Sequence, residues 1–230
     1  GVPFEIVPGV TSATAGPAYA GIPLTHRGVA TTFTVVSGSE DPGKPESSLS
    51  WGALAKTGGT LVVLMGWASL EKIFKTLGDE GLPATTPVAL VQWGTWNTQK
   101  TVTGDLSNVI ERGKDAGLTS PVIVVIGKVV SLREELAWFD QRPLFGKRVL
   151  VTRSRSQASR LLALLEQSGA KAVELPTIEI GPLDDYAQFD RVLARISDYQ
   201  WVIFASVNAV EAVFERLALM GKDARSFGTS

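Results

Sequence analysis

Ser120-Pro-Val-Ile-Val-Val-Ile-Gly127 sets five consecutive β-branched apolar residues between a proline and a glycine. A run this short reads as a strand, and one without polar alternation has to be covered on both faces. Thr60–Met65 and Val88–Gln92 repeat the pattern. Between these two runs, Leu70–Leu77 carries its apolar residues at helical spacing, and Leu106–Ala116 also reads as helix. Strands alternating with helices predict an α/β fold around a largely covered sheet. Working outward, Thr31–Val36 is strand-like, Thr98–Thr103 alternates weakly as an edge strand does, and Leu49–Lys56 is a short helix after a Ser/Gly/Pro-rich loop at 37–50. Nearer the start, Phe4–Val7 reads as a short buried strand ending at Pro8-Gly9. Thr11 or Ser12 then caps a small-residue helix over Ala13–Ala20, which Gly21 and Pro23 stop.

The pattern breaks at Leu136–Phe145 and restarts beyond it. Strands are expected at Arg148–Thr152, Ala172–Leu175 and Trp201–Phe204, and helices at Gln157–Gln167, Phe189–Ile196 and Val207–Leu219. We therefore divide the chain into a first α/β domain at 1–137, a linker at 138–146 and a second α/β unit at 147–230. Two or three strands do not cover both faces of a sheet, so the second unit is expected to be partial. The chain starts Gly-Val-Pro-Phe-Glu-Ile-Val, without an initiator Met or a basic leader, and is expected to be an internal piece of a longer polypeptide.

Composition excludes several classes. The 230 residues hold 22 basic and 23 acidic side chains, a net charge of −1, which gives no electrostatic case for nucleic acid or an acidic membrane surface. No cysteine is present, so thiolate catalysis, disulfides and Cys-based metal centres are excluded, and a cytoplasmic location is expected. The single histidine, His26, excludes a multi-His metal site, and no metal is expected. Apolar runs fall far short of the roughly 18–20 residues that span a bilayer. Six tryptophans, at 51, 67, 93, 96, 138 and 201, have no regular spacing, so they build no base-stacking platform.

Six short motifs bear on function, each with a plain structural reading beside it. Gly38-Ser-Glu-Asp-Pro-Gly43-Lys44 fills seven P-loop positions, but Pro45 stands where a magnesium-binding hydroxyl is needed and Glu40 and Asp41 would repel phosphate, so a surface turn is expected. Pro8-Gly-Val-Thr-Ser-Ala13 is a strand, turn and helix start that serves either as a simple cap or as a backbone cradle for a ligand. Met65-Gly66 and Gly94-Thr95 follow buried strands, where ligands gather in open α/β sheets; with Thr11 and Ser12 they point to one shared pocket. Gly21-Ile-Pro-Leu-Thr-His-Arg27 places the only histidine beside an arginine: either a backbone-bonded His and a solvated Arg, or a cationic site for a carboxylated ligand. Val151-Thr-Arg-Ser-Arg155 sits at a strand end and suits an anion or a helix cap equally.

The first segment resembles the C-terminal half of the uroporphyrinogen-III C-methyltransferases, S-adenosylmethionine (SAM)-dependent tetrapyrrole methylases. The resemblance rests on Val7-Pro-Gly-Val-Thr-Ser-Ala13, Gly21-Ile-Pro-Leu-Thr-His-Arg27, Leu64-Met-Gly66, Pro87-Val-Ala-Leu-Val-Gln-Trp-Gly-Thr95, Gln99-Lys-Thr-Val102 and Ser120-Pro-Val-Ile-Val-Val-Ile-Gly127, in order over about 135 residues. It implies SAM as methyl donor, contacts to it from Thr11, Ser12, Met65, Gly94, Pro121 and Val122, and binding of tetrapyrrole carboxylates by Arg27 with His26. It also implies a homodimer. The family's N-terminal domain, with its proposed acid/base residues, is not in this chain, so the catalytic residues are unknown.

The second segment resembles the start of uroporphyrinogen-III synthase, on Gly146-Lys-Arg-Val-Leu-Val-Thr-Arg153, Leu175-Pro-Thr-Ile-Glu-Ile180 and Trp201-Val-Ile-Phe-Ala-Ser-Val-Asn-Ala-Val210. That implies a partial Rossmann-like or flavodoxin-like unit. Arg153, Ser206 and Asn208 are then expected to line a cleft for hydroxymethylbilane, which the synthase closes to uroporphyrinogen III. Since one activity makes the other's substrate, the expected whole is a methylase–synthase fusion leading to precorrin-2, toward sirohaem or cobalamin. The chain alone is expected to be inactive, and conversion of uroporphyrinogen III by the isolated 230 residues with SAM would refute that. The competing readings are a non-catalytic ligand-binding or dimerisation fragment, and a SAM methylase of another substrate.

Overall fold

The computed structural model describes residues 1–39, 47–152, 155–178 and 181–228, with the side chains of 155–158 left aside. The P-loop-like stretch from Glu40 onward and Arg153 lie outside the described residues. The chain divides into two compact units, Gly1–Ile178 and Glu179–Ser230.

In the first unit, β1 (Phe33–Ser37), β2 (Thr60–Leu64), β3 (Pro87–Gln92), β4 (Lys100–Asp105) and β5 (Val122–Ile126) form one sheet in the order β1-β2-β5-β3-β4. β1 and β2 run parallel; β5 is antiparallel to both of its neighbours, and β3 is antiparallel to β4. The apolar run that opens the sequence is thus the middle strand, with Val125 paired to Val62 on one side and Ala89 on the other. Strand alternation sends Leu90 and Val124 to one face and Ala89, Val91 and Val125 to the opposite one.

Helices cover both faces. On the first, α3 (Leu70–Asp79) buries Leu70, Ile73, Phe74 and Leu77, the i, i+3, i+4, i+7 stripe of an amphipathic helix. α2 (Trp51–Thr57) and α4 (Val109–Asp115) pack beside it. On the other, α1 (Ser12–Tyr19), the turn Ala20–Ile22 and a 3₁₀ stretch at Lys128–Leu132 close over Val91 and Val125, and α5 (Arg133–Leu136) follows. Each fully buried Val or Leu contributes on the order of 2 kcal/mol by leaving water, so β2, β3 and β5 anchor the unit.

A two-stranded parallel sheet, β6 (Arg148–Val151) with β7 (Lys171–Glu174), is joined by α6 (Arg155–Gln167). It is part of the first compact unit. Leu144 N–H donates to Ser168 O at 2.9 Å, and at Gly169 an added Cβ would lie 2.9 Å from Arg142 Cβ, so the corner between α6 and β7 sits on the 142–145 stretch. The compact boundary therefore falls some thirty residues after the break in the sequence pattern.

The second unit holds α7 (Ala187–Ala194) and α8 (Val207–Leu219), packed through Leu193, Ile196 and Leu217. Arg216 donates twice to Asp190, both at 2.6 Å, and its guanidinium lies 4.3 Å from the Tyr186 ring centre. Arg216 holds the Asp190 carboxyl below its ordinary value, chiefly by hydrogen bonding. A depressed folded pKa gives stability that is complete above the unfolded value of about 3.9 and is lost as pH falls through the folded value. Melting curves from pH 6 to pH 3 should therefore show Asp190→Asn less stable near neutrality, with the gap to the parent closing below about pH 4.

Two expected strands are absent. Phe4–Val7 and Trp201–Phe204 have no ladder partner among the described residues, and Phe4, Ile6, Trp201 and Ile203 are each 79–87% exposed. Apolar sequence favours a strand only when a neighbouring strand is there to accept its hydrogen bonds.

Candidate functional site

β2 and β3 end, and β5 begins, at the same edge of the sheet, and α1 lies along it. These elements enclose a cavity of about 600 Å³, within the range of small-molecule sites. Its lining includes Ser12 and Gly16 from α1, Met65 after β2, Gly94 after β3, and Pro121 and Val122 at the start of β5. Thr11, between the lining residues Val10 and Ser12, is the N-cap of α1, its hydroxyl accepting from Ala13 N–H at 3.3 Å. None of the lining residues is ionisable. Such a site binds through apolar surface, hydroxyls and backbone rather than by proton transfer.

The floor needs two glycines. An added Cβ at Gly94 would come within 2.9 Å of Gly16 Cα, and one at Gly16 within 2.4 Å of Ile123 Cδ1. The absence of both side chains lets α1 approach the turn after β3.

Three non-glycine residues among those described have left-handed backbones, Met65 (φ 56°), Trp93 (φ 51°) and Thr95 (φ 76°), and all three line this cavity. Each such conformation costs on the order of 1–3 kcal/mol and persists where the surroundings impose it. At Thr95 the partner is Gln99. Nearly buried, it accepts from Thr95 N–H at 3.0 Å and donates to Tyr19 O at 3.2 Å, joining the strand-end turn to the far end of α1. Gln99→Leu would strand both backbone partners, with an expected loss of about 2–4 kcal/mol in urea unfolding.

Sequence reading marked Gly94-Thr95 but did not single out Trp93, Trp96 or Ile123. The Trp-Gly-Thr run after an apolar strand marked the turn, but a left-handed tryptophan backbone has no sequence signature.

The other candidate residues are not among those that line this cavity. His26 and Arg27 are exposed on a turn closed by the His26–Ala30 bridge, where a His26 ring nitrogen lies 3.0 Å from Arg27 O. Ser206 is the N-cap of α8, accepting from Ala209 N–H at 3.1 Å, and Asn208 lies in that helix's first turn, partly buried. Among the described residues no cluster of His, Cys, Asp or Glu is arranged to hold a metal ion, and no helix is long and apolar enough to cross a membrane.

Residues 1–110, which supply four of the five strands and most of the cavity lining, match the family of tetrapyrrole (corrin/porphyrin) methylases. Residues 159–229 match the uroporphyrinogen-III synthase HemD family. The chain is 35% identical to the porphyrin biosynthesis protein HemD of Ruminiclostridium josui over 97% of its own length and 44% of that protein's. It is 35% identical to the uroporphyrinogen-III C-methyltransferase of Bacillus subtilis over 98% and 46%. The SAM-dependent uroporphyrinogen III methyltransferase of Methanosarcina barkeri shares 44% over 59% of this chain and 53% of that one. Among solved structures, a cobalt precorrin-4 methyltransferase is 25% identical with a TM-score of 0.50, covering 55% of this chain and 52% of that one. The chain thus resembles a methylase segment joined to a synthase segment, and it spans about half the length of the curated relatives it matches.

Proposed function

We propose that this chain is the C-terminal part of a SAM-dependent uroporphyrinogen III methylase joined to the first part of a uroporphyrinogen-III synthase. The observation that carries it is the uncharged cavity at the strand ends, in a segment matching the methylase family. SAM fits what is there. Its adenosine and thioether portions suit the apolar lining, its sulfonium meets no cationic side chain, and the close approach of Gly16 to Gly94 brings both backbones to the cavity wall. Ser12, Met65, Gly94, Pro121 and Val122 would hold it, with Thr11 fixing the start of α1. When bound, SAM supplies a methyl group to an electron-rich pyrrole carbon. The chain's own contribution is to orient the donor, exclude water from one side of it and place the acceptor in line, where positioning supplies much of the rate.

Arg27 and His26, exposed and close in sequence to the end of α1, are assigned to the carboxylates of the tetrapyrrole, since a guanidinium pairs with carboxylate bidentately. Arg153, Ser206 and Asn208 are assigned to hydroxymethylbilane in the synthase segment, on resemblance alone. A homodimer is proposed on the same ground, and a cytoplasmic location because a cysteine-free chain suits a reducing compartment. The domain division at 138–146 is retained as the functional one, between the two family matches. The test is methyl transfer from labelled SAM to uroporphyrinogen III by the full-length protein. A doubly methylated product is expected, and no transfer under reducing, anaerobic conditions would sink the assignment.

A further inference from the structure

We propose that Arg133–Phe145 is a strap that positions α1 as the wall of the cavity and ties that wall to the β6–α6–β7 layer. The proposal rests on the reading of the cavity given above.

α1 needs outside support. It has eight residues, includes Gly16 and Pro17, and is too short to hold itself in water. Yet Ser12 and Gly16 on it form part of the cavity lining. The support comes at its C-terminal end, where three successive carbonyls are each taken by a side chain from elsewhere. Trp138 Nε1–H donates to Ala18 O at 3.1 Å, Gln99 to Tyr19 O at 3.2 Å, and the Arg133 guanidinium to Ala20 O. Two of these three donors belong to the strap.

The strap is itself fixed. Arg133 also pairs with Asp140, and both side chains are mostly buried, at 16% and 14% exposure. Tyr19 of α1 packs on Trp138 and Phe139, with ring centres 5.1 and 4.8 Å apart, and Phe139 packs on Phe145. The Arg142 guanidinium lies 4.6 Å from the Trp138 ring centre. The turn after α1 is fitted to the strap: Gly21 has φ 71°, and an added Cβ would lie 2.5 Å from Leu136 O. At its other end the strap meets the corner between α6 and β7 through Leu144 and Gly169, and Asn97, from the turn beside the cavity, donates to Lys147 O at 3.4 Å.

Contacts therefore run without a break from the cavity wall, through the strap, to the layer that begins the synthase-like segment. Binding that stiffens α1 stiffens the strap, and by reciprocity a loosened strap weakens binding.

The test uses the full-length protein, S-adenosylhomocysteine as probe, calorimetry and hydrogen exchange read by mass spectrometry. Trp138→Phe keeps the ring stack but loses the donor to Ala18 O. The dissociation constant is expected to rise about 3- to 10-fold, as for one lost hydrogen bond. Amides of 12–20 should exchange faster while those of β2 and β5 do not change, which a general loss of stability would not produce. In the parent, the probe should slow exchange in both 12–20 and 136–147. Unchanged affinity together with unchanged α1 exchange in Trp138→Phe would overturn the proposal, as would protection of α1 by the probe without protection of 136–147. If the parent binds no probe, the reading of the cavity fails first, and unaltered α1 exchange in Trp138→Phe then removes the strap as well. Should Trp138→Phe not fold, Arg133→Lys, which keeps a charge toward Asp140 but loses the forked reach to Ala20 O, is read in the same way.

Discussion

Gly94→Ala is expected to weaken S-adenosylhomocysteine binding by about 10- to 100-fold while leaving the protein folded. The new Cβ would stand 2.9 Å from Gly16 Cα, a contact with backbone that no rotamer change relieves. Either α1 moves away from the turn after β3 or the turn moves away from α1. Both displace the lining on two sides of the cavity at once. Overpacking of this kind costs about 1–3 kcal/mol, and because the displaced groups line the site, the cost is felt in affinity as well as in stability. Gly94 lies between two residues already held in the left-handed region, so the local backbone has little freedom to absorb the change. Calorimetry on the two proteins checks this. Equal affinity, with a circular-dichroism melt as a control on folding, would mean that the ligand sits elsewhere.

Arg27→Ala is expected to raise KM for uroporphyrinogen III by about 10- to 100-fold with a smaller change in kcat. A charge-assisted hydrogen bond contributes about 1.5–3 kcal/mol, and a carboxylate at the rim of the substrate is bound alike in the ground and transition states. No ion pair among the described residues engages Arg27, and the side chain is exposed, so its removal should not cost stability. Steady-state kinetics separates the two parameters. An unchanged KM would return Arg27 to the role of a solvated surface residue.

The parts of the fold that sequence reading reached are those set by short-range pattern. The apolar runs at 60–65, 88–92 and 122–126 became the buried strands, the stripe in α3 faces the sheet, and the weakly alternating run near residue 100 became the edge strand. α8 spans the residues that its apolar spacing marked. What escaped is set by tertiary partners. Phe4–Val7 and Trp201–Phe204 carry strand composition but no neighbouring strand among the described residues. The cavity was half legible. Small residues at three strand ends pointed to Ser12, Met65 and Gly94, whereas the left-handed turn at Thr95 is held by Gln99, several residues on, and the support of α1 depends on Trp138 and Arg133 more than a hundred residues away. The 138–145 stretch interrupts the helix–strand pattern and contains Pro143, so it reads as a spacer until its aromatic contacts with Tyr19 are seen.

The most direct test of the central claim is a calorimetric titration of S-adenosylhomocysteine into the full-length protein. One molecule bound per chain, displaced by SAM, is the predicted result. No binding, in a preparation whose melt shows it to be folded, would contradict the methylase assignment and leave a domain with that fold but another ligand.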